Sequence, residues 1–184
     1  MSHTLNSPPI PTDLADSRLV GVCSLSIPNS ESPMSIKPIP DGYHTATPYL
    51  FVKGAAQAIA FYQRAFGATE LFRMEGPGGS VAHAEIQIGD SRLMLADEVP
   101  QMGYHGPVSL GGTTVSLLLY VENVDTFFAQ AVAAGATATR AVKDQFYGDR
   151  SGTLMDPFGH VWTIATHTED VTSEEMARRM QAGL

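Results

Sequence analysis

The 184-residue chain predicts an α+β fold of two βαβββ modules whose curved, mixed sheets share one cup. Three observations carry this expectation. The stretches YLFVKGAAQAIAFYQRAFGAT and LLLYVENVDTFFAQAVAAGAT align with a one-residue adjustment, so that strand end, helix and terminal Gly-Ala-Thr coincide. Each is followed by a hairpin at nearly the same offset, and a repeat of roughly 70 residues is too long for a solenoid unit but suits a duplicated half-domain. A composition of 43% hydrophobic and 16% charged residues is enough to bury a core.

Residues 1–40 are rich in Ser and Pro (SPPIPT, SIPNSESP, IKPIP) without sustained periodicity, which predicts an extended or disordered leader, with Met34 as an alternative start of translation. The paired modules are expected over residues 41–170. Module 1, about residues 44–97, opens with a strand over Thr45–Val52. A helix follows over Gly54–Phe66, with Ala55, Ala58, Ile59, Tyr62 and Phe66 on one stripe and Gly67 as its stop. A short strand fits Ala68–Met74, and Val81–Ile88 and Ser91–Ala96 form a hairpin turned by Gly89-Asp90. Residues 98–112, rich in Pro and Gly, read as a loop long enough to be functional.

Module 2, about residues 113–167, repeats the order. Thr114–Val121 reads as a strand and Val124–Ala134 as a helix with Val124, Phe127, Phe128, Ala131 and Val132 facing inward. The closing hairpin pairs Ser151–Met155 with His160–Ala165 across Asp156-Pro157-Phe158-Gly159, where Pro157 presets φ and Gly159 is free to take a positive one. Residues 171–184 carry a surface helix, begun by a capping box of Thr172 and Glu175.

A net charge of -8, with none of the 11 basic residues in a run, argues against a nucleic-acid partner. The single cysteine, Cys23, excludes an internal disulfide and a Cys-based zinc site, and a reducing cytoplasm is the default. Leu19–Ile27 makes a poor signal peptide, and no window has the length and apolarity of a membrane span.

Strand alternation allows the cup to be read. Ala82, Ala84, Ile86 and Ile88 form one apolar face, so His83, Glu85 and Gln87 point into the concave side, with Gln87 opposite Arg92 and Glu85 opposite Met94. Tyr49, Phe51, Leu118 and Tyr120 share the cup parity and supply aromatic and aliphatic walls. His83 and Glu85 project side by side. They suit a base with its orienting acid, two metal ligands completed by His44, His105 or the substrate, or a structural pair in which Glu85 answers Arg92. Tyr147, Asp149 and Arg150 precede the closing hairpin, where Arg150 is placed to grip a carboxylate or phosphate, or to pair with Asp149. His160 and Trp162 have core parity.

The paired modules, the helix stop FGA and the closing DPFGHVW together resemble the vicinal oxygen chelate superfamily, which includes glyoxalase I, bleomycin-resistance proteins and extradiol dioxygenases. TPYLFVKGAAQAIAFYQRAFGATE, HAEIQIGDSRLMLADE and FYGDRSGTLMDPFGHVW look most like its PhnB-like subgroup. The resemblance implies a divalent metal held by His or Glu on the first and last strand of each module. Those positions fall here on Thr47, Met94, Ser116 and Thr163, which are not ligands for such an ion, so no cofactor is expected. It thereby implies a metal-independent binder of a small, partly apolar molecule, with Thr163 and Met94 lining its site, and a homodimer. The alternatives are a glyoxalase-like lyase or isomerase using His83 and Glu85 for proton transfer, with or without a divalent metal, and a dimerising scaffold.

Overall fold

The computed structural model describes residues 36–183, so the leader expected over residues 1–40 lies, as far as residue 35, outside the described residues. Module 1 comprises β1 (Tyr49–Val52), α1 (Ala55–Phe66), β2 (Thr69–Glu75), β3 (Val81–Ile88) and β4 (Ser91–Asp97). Module 2 comprises β5 (Ser116–Tyr120), α3 (Val124–Ala133), β6 (Thr137–Asp144), β7 (Asp149–Met155) and β8 (Val161–His167). The segment between them is not wholly loop. It forms a helical turn at Pro100–Met102 and a short helix, α2 (Pro107–Leu110), each begun by a proline whose missing N–H costs nothing there. The closing helix α4 (Ser173–Gln181) starts where the capping pair places it, the Thr172 hydroxyl accepting from Glu175 N–H.

Each module forms one four-stranded sheet, in the orders β1-β4-β3-β2 and β5-β8-β7-β6. β1 runs parallel to β4 and β5 parallel to β8, while the other neighbours are antiparallel. The expected two βαβββ modules are thus present. β1 begins four residues later than expected because Pro48 has no N–H to offer the ladder, and β5 starts late because the Thr113 hydroxyl takes up Val115 N–H.

One core serves both modules. Tyr62 and Phe66 of α1 pack on Trp162 of β8, and Phe66 stacks on Phe127 of α3 at 5.9 Å between centroids. Because both sheets turn their helix-covered faces toward this core, their opposite faces are left open, and the sheets are not closed into a barrel. The cup expected between the modules is therefore an open one. Phe72 and Met74 are each 50% exposed on one sheet, and Leu118 and Tyr120 are 49% and 64% exposed on the other.

Two core assignments need correction. Val81, not Ala82, is buried at the start of β3, because a register shift between Met74 and Glu75 inverts the alternation there. Val132 is 40% exposed, lying past the edge of the stripe that Val124, Phe128 and Ala131 bury.

Candidate functional site

On the open face of module 1, β3 and β4 pair Glu85 with Met94 and Gln87 with Arg92, in the register that the Gly89-Asp90 turn dictates. β1 adds Tyr49 beside Met94. Tyr49 Oη lies 2.8 Å from His83 Nδ1, and His83 Nε2 lies 3.5 Å from Glu85 Oε1. Tyr49, His83 and Glu85 thus form a chain through which a proton could move, the His83 tautomer deciding which atom donates. Burial, with Tyr104 nearby, raises the Tyr49 pKa. Phe51 is stacked between Tyr49 and Tyr104, at 4.9 and 4.6 Å between centroids, which presents a flat apolar ladder beside that polar chain.

Glu85 and Met94, with Thr47, line a cavity of about 390 Å³ roofed by the segment around Pro38 to Thr45. Glu85 does not pair with Arg92. The Arg92 guanidinium instead lies over the Tyr43 ring at 4.6 Å, and the Tyr43 hydroxyl, between the two, is buried without a hydrogen bond. Burial, and next the proximity of Glu85, raises its pKa. Sequence reasoning missed Tyr43 and Tyr104, which lie outside strands, where alternation says nothing. Phe72, opposite Glu85 in β2 and 6.1 Å from the His83 ring, was within reach of the alternation rule. Gln87 is spent locally, its amide donating to the Gly89 carbonyl.

Of the expected module 2 site residues, Leu118 lines a smaller cavity, of about 240 Å³, together with Thr47 and Arg92 of module 1, and the others do not line it. Leu118 pairs with Thr163, whose hydroxyl lies 3.4 Å from that of Thr153. Tyr120 donates to Asp149 Oδ2 at 2.9 Å, which raises the Tyr120 pKa, and Asp149 Oδ1 meets His167 Nδ1 at 2.8 Å. Arg150 does not pair with Asp149. It makes a two-pronged contact with Asp125, 2.8 Å at each N–H, and a third bond to Asp144 at 3.0 Å, and these carboxylates hold its pKa above the ordinary value. Its guanidinium is thereby occupied in tying β7 to α3 and β6, not offered to a ligand. Tyr147 packs edge-on against Phe146.

Of the four positions where the superfamily would hold a metal, Thr47 and Met94 line the 390 Å³ cavity, while Ser116 and Thr163 belong to the other sheet. Hydroxyls and a thioether do not fit a hard or borderline divalent ion. Among the described residues, no group of three or more His, Cys, Asp or Glu is arranged to hold one.

Paired βαβββ modules with open concave faces define a class of proteins that varies its chemistry on a constant frame. The chain belongs to the Glyoxalase/Bleomycin resistance protein/Dioxygenase superfamily, whose family model matches residues 43–164. Members of this superfamily bind small molecules and often form dimers. The chain is 44% identical over 139 residues to an uncharacterised protein of Mycobacterium bovis, covering 74% of this chain and 91% of that one. Its fold is similar to that of TioX from Micromonospora sp. ML1, with a TM-score of 0.54, 24% identity, and coverage of 70% of this chain and 100% of the other. It is also similar to a PhnB protein from Bacillus cereus, with a TM-score of 0.53, 20% identity, and coverage of 67% and 99%. No helix among the described residues is long and apolar enough to cross a membrane.

Proposed function

We propose that the protein binds a small, partly apolar molecule on the open face of module 1 without a divalent metal, as a PhnB-like, bleomycin-resistance-like member of its superfamily. The observation that carries this reading is the Tyr49–Phe51–Tyr104 stack beside His83 and Glu85, next to Thr47 and Met94, which cannot serve as metal ligands. The flat stack offers area to a ring or chain, and the polar chain offers orientation. A second copy of the chain, in a reducing cytoplasm, covers the exposed sheet faces, on which Phe72 and Met74 of one sheet and Leu118 and Tyr120 of the other stand about half exposed or more.

A second reading is a lyase or isomerase, favoured by His83 standing between Tyr49 Oη, at 2.8 Å, and Glu85 Oε1, at 3.5 Å. Thermal melting of the full chain with fractionated small-molecule extracts, in the presence of a chelator, distinguishes the two. The binder reading expects a rise in melting temperature that Tyr104→Ala, in the stack but not in the wall of any other cavity described, removes. A rise that needs added metal and disappears in His83→Ala would sink it in favour of the enzyme. Light scattering at micromolar concentration should give twice the chain mass, and Phe72→Asp should return it to one. A monomer in the parent protein would refute the covering copy.

A further inference from the structure

A larger cavity, of about 700 Å³, lies along the edge of β1 that pairs with no strand and is lined by neither His83 nor Glu85. Its walls include Tyr49 and Phe51 of β1, Pro107 and Leu110 of α2, and Val115 and Leu117 at the entry to β5. No Asp, Glu, Lys or Arg lines it, in contrast to the module 1 face where His83, Glu85 and Arg92 gather. A charged ligand entering it would lose its hydration without gaining a counter-charge.

The enclosing segment is held in place, not merely draped. Glu98 accepts from Gly106 N–H at 3.0 Å and from the Ser109 hydroxyl at 2.9 Å. Gly106 comes so near the Phe51 carbonyl that a Cβ there would stand 2.9 Å from its oxygen, so only glycine permits the approach. The DPFG turn supports α2 from beneath, Gly159 lying against Pro107.

His160 forms part of the wall, and its Nε2 is buried without a hydrogen-bond partner. In a neutral imidazole one ring nitrogen is a lone-pair acceptor, a role the unpartnered Nε2 is free to fill. Burial lowers the His160 pKa, in keeping with that neutral form. Orphaned buried acceptors are rare in folded proteins and mark places where a partner is due.

We propose that this seam cavity is a second binding site, for an uncharged, mainly apolar molecule carrying one hydroxyl or amide N–H that donates to Nε2 of His160. Nε2 is buried in the unliganded chain, so binding turns the ring to bring it to the cavity surface, and the aliphatic wall of α2 receives the apolar body. Titration calorimetry of the full chain with 2-naphthol, 2-methoxynaphthalene and 2-naphthoate tests this. 2-Naphthol is expected to bind, 2-methoxynaphthalene to bind about tenfold more weakly for want of the donor, and 2-naphthoate not to bind.

Leu110 is 66% exposed, so Leu110→Trp should fold normally, fill the mouth and abolish 2-naphthol binding, while Phe72→Ala on the module 1 face leaves it unchanged. In His160→Phe, with folding verified by circular dichroism, the advantage of 2-naphthol over its methyl ether should vanish. If that variant does not fold, the methyl ether and Leu110→Trp decide. Absence of 2-naphthol binding, equal binding of the ether, binding that survives Leu110→Trp, or binding lost in Phe72→Ala would each overturn the proposal.

Discussion

Asp156 is the residue on which the joint between the modules turns. It is 3% exposed, and its two oxygens accept four bonds: Oδ1 from Phe158 and His160 N–H, each at 2.9 Å, and Oδ2 from Tyr62 Oη–H at 2.7 Å and Trp162 Nε1–H at 2.9 Å. One carboxylate thus shapes its own turn and binds α1 of module 1 to β8 of module 2. Asparagine would present one acceptor where two are needed and aim an N–H at donors. Asp156→Asn is expected to cost about 2–4 kcal/mol, read as a lowered urea midpoint with little change in slope.

His167 has the opposite exposure and a pH signature. The hydrogen bond to Asp149, and next that to Asp170, raises its pKa. A raised folded value means that the stabilisation is complete below the unfolded value, near 6.5, and is lost as pH rises through the higher folded one. The difference in melting temperature between the parent and His167→Gln should therefore be largest in mildly acidic buffer and shrink toward alkaline pH. A difference that grows with pH would contradict this. His160, whose pKa is lowered, contributes in the opposite sense, and the comparison cancels it.

Among the elements, the DPFG turn does two jobs, closing the β7–β8 hairpin and supporting α2. Gly159 has φ +87°, and a Cβ added to it would meet Pro107 Cβ at 3.0 Å. Gly159→Ala should destabilise the chain by about 1–3 kcal/mol and accelerate amide exchange in residues 108–112 before other segments. Uniform acceleration would mean that α2 is not supported by this turn. Features such as this turn, the hairpin register and the α1 stripe were legible because period and turn chemistry are local. The exceptions have physical causes that local rules do not reach. A bulge exchanges Val81 for Ala82, Arg150 finds Asp125 twenty-five positions away, and the Asp97 carboxylate, from β4, caps α1 by accepting from Gly54 and Ala55 N–H. The seam cavity left no trace in the periodicity, since a linker and two strand edges build it.

At the scale of the molecule, the duplication was readable but the disposition of its halves was not. Packing of α1 against α3 turns both sheets outward, a consequence of long-range contacts among Phe66, Phe127 and Trp162. His83, Glu85, Tyr49 and Phe51 gather on one open face, while Tyr120, Arg150 and Thr163 lie on the other module. The central claim is that the module 1 face works without a divalent ion, because Thr47, Met94, Ser116 and Thr163 stand at the ligand positions. Its most direct test is elemental analysis of the purified full chain, followed by calorimetric titration with nickel, manganese and zinc. The expected result is far less than one metal per chain and no saturable binding. One tightly held ion per chain, lost in His83→Ala or Glu85→Gln, would contradict it.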